Sequence, residues 1–240
     1  MTEWAARRFW TAAEAIEAEG GYAVALDARV VRTPARAPLV LPSRPLAAAV
    51  AQEWQEQPEV IDPGAMPLTR AANVAIDKVA PAREGVIDML ADYGGTDLLC
   101  YRAETPEALA ARQAEAWDPL LDWADRALGA PLVCGVGVMH VAQPEGSLAA
   151  LRAAIETLDA FELTALHDLV TLSGSLIIGL AAERGAERPE PLWAASRIDE
   201  TWQAEQWGED SEAAAAAEER RAAFLRAARF LALAREPAAP

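Results

Sequence analysis

Apolar and polar positions alternate in short runs through the first forty residues: Ala15-Ile16-Glu17-Ala18, Gly20-Gly21, Tyr22-Ala23-Val24-Ala25-Leu26, Asp27-Ala28, then Arg29-Val30-Val31-Arg32-Thr33. Short β-favouring runs divided by Gly-Gly and Asp-x turns predict hairpins and a small antiparallel sheet. Pro34, Pro38 and Pro42 frame Leu39-Val40-Leu41, which reads as a further strand at a sheet edge, where a missing N–H costs least. Ser43 ahead of Arg44-Pro45 predicts a helix start, because a serine oxygen caps free N–H groups and a first-turn proline has no N–H to leave unpaired. That helix is expected to run to about Gln57 before Pro58. Leu46, Val50 and Trp54 recur every four residues, a stripe that covers one face of the sheet and makes Trp54 an expected buried packing residue.

From Pro63 the apolar spacing turns helical, with helices expected at roughly 67–80, 81–93, 106–128, 146–158, 161–184, 190–206 and 211–234. Two short apolar runs interrupt them, Asp97–Tyr101 and Val133–Met139, and each fits a strand or a connection equally well. The last helix places Glu212, Glu218 and Glu219 early and Arg220, Arg221, Arg226, Arg229 and Arg235 late, the order its dipole favours. Residues 236–240 read as a frayed tail. The whole is expected to be α+β. A small β-rich domain with a covering helix spans residues 1–80, and a larger, mainly helical domain spans 81–240.

Composition narrows the function. The chain has 240 residues, 52% hydrophobic and 24% charged, enough for a sizeable core. Lys plus Arg number 21 against 37 Asp plus Glu, a net charge of -16, which argues against nucleic acid and anionic membrane surfaces as partners. The uncharged stretch Leu169–Ala182 is shorter than the span of about 20 residues a bilayer needs and reads as a buried helix. No apolar leader opens the chain, and an acid, Glu3, sits where organellar presequences avoid one. Two cysteines, Cys100 and Cys134, lie in apolar settings that suit buried thiols. Together these features place the protein in the cytoplasm.

The search for chemistry returns little. Gly135-Val136-Gly137 lacks the third glycine and later acid of a dinucleotide loop. His140 and His167 have no Cys or His at metal-ligand spacing, so no metal is expected, and both read as core or rim histidines. Ser173-Gly174-Ser175 lies within an apolar helical run and reads as a small-residue packing position rather than a nucleophile elbow. Asp199-Glu200 and Glu209-Asp210 are paired acids, but neighbours on a helix point about 100° apart, so neither pair converges by itself. Eight tryptophans remain. On one uninterrupted helix Trp193, Arg197, Glu200, Ala204 and Trp207 would share a face, and Trp with Arg is the combination that dominates binding hot spots.

In order along the chain, Arg8-Phe9-Trp10, Leu26-Asp27, Thr33-Pro34, Leu41-Pro42, Ala51-Gln52-Glu53-Trp54-Gln55-Glu56-Gln57 and Met66-Pro67-Leu68-Thr69 are followed by Ala75-Ile76-Asp77 and Tyr93. Thr96-Asp97-Leu98-Leu99-Cys100-Tyr101, Gln113, Trp117-Asp118-Pro119, Asp199-Glu200, Gln203 and Trp207-Gly208 complete the series. In this order and spacing the chain resembles the assembly chaperones of the F-type ATP synthase that bind the α subunit of its catalytic head, in their bacterial form. The resemblance implies a two-part α+β protein, without catalytic residues or cofactor, that holds an unassembled α subunit until it joins β subunits. It also implies functional acids at Asp199 and Glu200, with Glu200 foremost and Glu205 or Glu209 as neighbouring choices.

The expected partner-binding set is therefore Glu200, Asp199, Gln203, Trp207, Glu209, Trp193 and Arg197, with Trp54, Glu53 and Gln57 as a structural motif. A monomer is expected. Two other readings stand beside this one: a carboxylate hydrolase built on Glu200 and a distant acid, and a non-catalytic scaffold. Ile198–Glu219 holds eight acids and no Lys or Arg, so the negative charge concentrates on the segment with the binding motif.

Overall fold

The computed structural model describes residues 7–236. It is an α+β protein, with a small sheet near the amino terminus and helices through most of the remainder. Its residues pack as two units. One holds the chain up to Arg83, Asp159–Ala165 and the chain from Arg229, and the other holds Glu84–Leu158 and Leu166–Ala228.

In the first unit β1 (Ala13–Ala18) and β2 (Gly21–Leu26) form an antiparallel hairpin with Ala13 opposite Leu26. The other edge of β2 is shared by β3 (Arg29–Val30), with Leu26 opposite Arg29, and β4 (Val40–Leu41), with Tyr22 opposite Leu41. Glycine is required at the hairpin corner: Gly21 has φ 153°, and a Cβ there would sit 2.3 Å from the Leu41 carbonyl oxygen.

α1 (Arg44–Gln55) begins at Ser43, whose hydroxyl accepts from Leu46 N at 3.1 Å, and it buries Leu46, Ala47, Val50 and Ala51. The Ser43 hydroxyl also donates to the Leu233 carbonyl at 2.5 Å. Phe161 stacks on Phe230 in the same unit, ring centroids 6.2 Å apart. The apolar stripe fades at its last member. Trp54 is half-buried rather than buried, its ring meeting Trp10 edge-on at 5.3 Å.

Glu53 and Gln57 have structural partners. α2 (Pro67–Val74) starts at Met66 without a side-chain cap of its own. The Glu53 carboxylate fills that place, accepting from Leu68 N at 2.7 Å, Thr69 N at 2.8 Å and the Thr69 hydroxyl at 2.7 Å, a charge-assisted cap at the positive end of the helix. The buried Gln57 amide donates to the Glu53 carbonyl and accepts from Asp62 N. Glu53→Ala is expected to lower the unfolding free energy by about 1.5–3 kcal/mol, because it strands three donors. Urea unfolding checks this, and a midpoint equal to wild type would contradict the capping role.

α2 runs through a π segment (Ala75–Val79) and a 3-10 turn (Ala80–Ala82) into α3 (Arg83–Asp92). The second unit continues with β5 (Tyr101–Arg102), α4 (Glu107–Leu128), β6 (Gly135–Val136) and α5 (Glu145–Glu156). The two apolar interruptions meet in a short parallel strand pair, Tyr101 opposite Gly135, while Leu98–Cys100 of the first forms a 3-10 turn. Cys100 is buried, which pushes its thiol up to about 12. Cys134 is exposed, contrary to expectation, because the two-residue β6 lies at the surface with Val136 open to solvent. His140 is likewise exposed, and His167 is half-buried with Nδ1 3.0 Å from the Asp168 carboxylate.

The helix expected over 161–184 is two helices, α6 (Ala160–Ser173) and α7 (Leu176–Glu183). Gly174 at φ 74° ends the first, and the Ser175 hydroxyl caps the second by accepting from Ile178 N at 3.0 Å. The buried Asp97 carboxylate reinforces this start. It accepts from Leu99 N at 3.0 Å, the Ser175 hydroxyl at 2.7 Å and Ile177 N at 3.0 Å. Burial pushes the Asp97 carboxyl above its ordinary value, while these hydrogen bonds pull the other way.

The helix expected over 190–206 is also two, α8 (Pro189–Ala195) and α9 (Ile198–Trp207), and α10 (Ser211–Arg235) closes the series. Among the described residues no helix is long and apolar enough to cross a membrane. Residues 237–240 of the expected frayed tail lie outside the described residues.

Candidate functional site

α4 supplies the base on which α8 and α9 rest. Trp117 is 1% exposed and its indole Nε1 donates to the Ala195 carbonyl at 2.8 Å, satisfying an acceptor that the end of α8 leaves open. One turn earlier, the buried Gln113 accepts from Ala103 N at 2.8 Å and donates to Asp199 Oδ1 at 2.6 Å. Arg112 pairs with Glu205 at 2.7 Å, and this hydrogen bond draws the Glu205 carboxyl below its ordinary value. Three links from one helix therefore fix α8 and both ends of α9. Asp199 and Glu205 spend their carboxylates on holding α9, and Asp199 is only half-exposed.

The opposite face of α9 is open. Glu200, Gln203 and Trp207 stand at i, i+3 and i+7, the spacing that aligns side chains along one helix face, and all three are exposed. Trp207 is 79% exposed. Gly208, at φ 92°, ends the helix, and Glu209 follows it, also exposed. Glu200 pairs with Arg197 at 2.8 Å, and the Arg197 guanidinium lies over the Trp193 ring, 5.6 Å from its centroid. Arg197, Asp199 and Glu200 border a recess of ≈ 280 Å³ together with Thr171 and Gly174.

Two expectations change here. The face running from Trp193 to Trp207 is not continuous, because the chain leaves the helix at Ser196 and Arg197. Trp193 is also not at the surface: it is 6% exposed and packs on Phe224 with ring centroids 5.5 Å apart. So little ring surface leaves Trp193 a support for Arg197 rather than a contact for a partner. Trp54, Glu53 and Gln57 belong to the other unit.

Sequence reading did not place Arg112, Gln113 or Trp117 at this site. Gln113 and Trp117-Asp118-Pro119 were visible as motif residues, but Gln113 is 86 positions from Asp199, and no local pattern reports a hydrogen bond over that distance. Among the described residues no group of three or more His, Cys, Asp or Glu is placed to hold a metal ion. The arrangement offers an anchored helix that displays one carboxylate, one amide and one large aromatic ring. This is the make-up of protein interfaces, in which aromatic anchors sit inside a polar rim.

The ATP12 chaperone protein family matches residues 7–125 of the chain. Among solved structures, Atp12 from Paracoccus denitrificans is 57% identical, the match covering 97% of this chain and 100% of that one with a TM-score of 0.94. A point mutant of P. denitrificans Atp12p is 56% identical, covering 98% of this chain and 100% of that one, TM-score 0.95. A protein of Agrobacterium tumefaciens is 42% identical, covering 94% of this chain and 84% of that one, TM-score 0.88.

Proposed function

This chain belongs to the ATP12 chaperone family, and from that premise we propose that it binds the unassembled α subunit of the ATP synthase catalytic head through the outward face of α9. The protein is a chaperone of ATP synthase assembly and not an enzyme. A carboxylate hydrolase centred on Glu200 is thereby set aside. The observation that carries the docking surface is the exposed stripe Glu200, Gln203 and Trp207 on a helix that Gln113, Arg112 and Trp117 hold in place.

A subunit normally buried in a ring exposes apolar interface when alone, and a holder that covers it suppresses self-association. The holder must also let go. One aromatic anchor among carboxylates gives a grip of moderate strength, whereas a broad apolar contact would oppose transfer to the β subunit. The protein acts in the cytoplasm as a monomer in this reading, and binds one α subunit.

Glu200→Gln is expected to weaken α-subunit binding several-fold with the unfolding midpoint unchanged, because Glu200 is exposed and its salt bridge to Arg197 is short-range and solvated. Titration of purified α subunit against wild type and variant measures it. Equal affinities would remove Glu200 from the interface, and equal affinities for Trp207→Ala as well would remove this face of α9 and favour the scaffold reading.

A further inference from the structure

A second surface lies in the helical unit, away from the outward stripe of α9. α4 and the segment from Ala186 to Ile198 enclose a groove of ≈ 520 Å³ lined by Ala116, Leu120, Trp123, Leu192, Ala194 and Ala195. Leu192, Ala195 and Ile198 are buried beneath it, while Leu120 and Trp123 are half-buried and Ala194 is exposed. Its charged rim consists of Arg112, Glu115 and Glu187. Arg112 is occupied by Glu205 at 2.7 Å. Neither Glu115 nor Glu187 forms an ion pair among the described residues; Glu187 accepts only from the backbone N–H of Arg188. The groove is therefore apolar inside and net negative at its edge.

We propose that this groove receives an amphipathic helix of the unassembled ATP synthase subunit, with its apolar side chains entering the groove and Lys or Arg residues flanking them. The inference rests on the chaperone reading above and adds a second point of attachment to it. One wall is α4 and the other is α8 with the turn that precedes it, and no strand edge lines the groove, so an extended segment has no strand to pair with and a helix is the fitting occupant. Alanine at 116, 194 and 195 leaves room for the close approach of another helix, and Trp123 and Leu120 supply the apolar grip. The unpaired carboxylates at the rim select the flanks: Lys or Arg gains attraction from Glu115 and Glu187, whereas an acidic segment is repelled. A second copy of this chain is disfavoured on the same ground, since each copy carries a net charge of -16.

Two full-length variants test the groove. Ala194→Trp fills it from an exposed position, and Glu115→Lys with Glu187→Lys reverses its rim. Each should keep the wild-type unfolding midpoint and lose about tenfold or more in affinity for purified α subunit, as the loss of a buried anchor does. The loss from the charge reversal should shrink as salt rises. A photoreactive residue at position 194 should cross-link to an α-subunit peptide that carries Lys or Arg on both sides of an apolar run. Cross-linking to an acidic or charge-free peptide would overturn the proposed occupant. Wild type that binds the α subunit while both variants bind it equally would overturn the groove and leave the chaperone reading intact. Cross-linking to β subunit in place of α would keep the groove and remove the α-subunit reading. Binding to neither subunit would remove both, and a dimer in light scattering that these variants dissolve would assign the groove to a second copy instead.

Discussion

Trp117→Ala is expected to lower the unfolding free energy by about 3–5 kcal/mol, the loss that follows deletion of a large aromatic side chain from a core. Among the described residues Trp117 is the largest of the fully buried side chains. Its removal opens a cavity, leaves the Ala195 carbonyl without the donor that now lies at 2.8 Å, and withdraws the ring beneath the Arg102 guanidinium, 5.2 Å from its centroid. Trp117→Phe should cost less, about 1–2 kcal/mol, because it retains most of the packing and loses mainly the hydrogen bond. Chemical denaturation of the three proteins separates the two contributions. Equal midpoints for wild type and Trp117→Ala would show that α4 does not hold α8 through this residue.

Asp97→Ala is expected to be as severe, about 3–5 kcal/mol, because each buried donor left unsatisfied costs about 1–3 kcal/mol. Three donors converge on the Asp97 carboxylate from Leu99, Ser175 and Ile177, and alanine leaves all three unpaired inside the protein. Asp97→Asn retains one acceptor oxygen but turns an amide donor toward another donor, so its loss should be intermediate. The carboxyl also sets a pH dependence. Burial holds its folded value above the ordinary one, so between those two values the folded state keeps a proton that the unfolded chain has released. Across that window stability falls as pH rises, and below the ordinary value Asp97 contributes no slope. Unfolding free energies measured across acidic pH should show this component in wild type and lack it in Asp97→Asn; the same pH profile for both would contradict it.

The sequence reported helices well where a single helix obeyed a single periodicity. α1 was marked at its start by Ser43 and Pro45, and α4 by its spacing over Glu107–Leu128. It failed where two helices share one apolar run. Leu169, Val170 and Leu176–Ala181 are buried, so Leu169–Ala182 reads as continuous, although Gly174 and Ser175 carried the ordinary signals of a stop followed by a cap. The break at Ser196 and Arg197 had no such glycine, and the tryptophan face drawn across it joined a core residue, Trp193, to an exposed one, Trp207.

Residues tied to partners far along the chain were legible only as motif letters. Asp97 meets Ile177 across 80 positions and Gln113 meets Asp199 across 86. Periodicity describes a local face, and it does not name what that face touches. The return of Asp159–Ala165 and the chain from Arg229 to the sheet-bearing unit escaped local pattern for the same reason. Glu53 and Gln57 were visible as a motif, but the role of Glu53 as the missing cap of α2 required the structure.

The acidity of the chain divides into parts that act differently. Of the eight acids between Ile198 and Glu219, Asp199 and Glu205 are tied to α4, and Glu218 pairs with Arg221 at 3.0 Å. The other five, Glu200, Glu209, Asp210, Glu212 and Glu219, are exposed. A patch of this kind keeps a holder soluble while one aromatic side chain stays available for contact.

Light scattering from purified, unassembled α subunit, followed with and without an equimolar amount of this protein, tests the central claim most directly. The account predicts that aggregation is suppressed, that Trp207→Ala with Glu200→Gln suppresses it less, and that adding β subunit releases the bound α subunit. Scattering that rises equally in the presence and absence of the protein would contradict it.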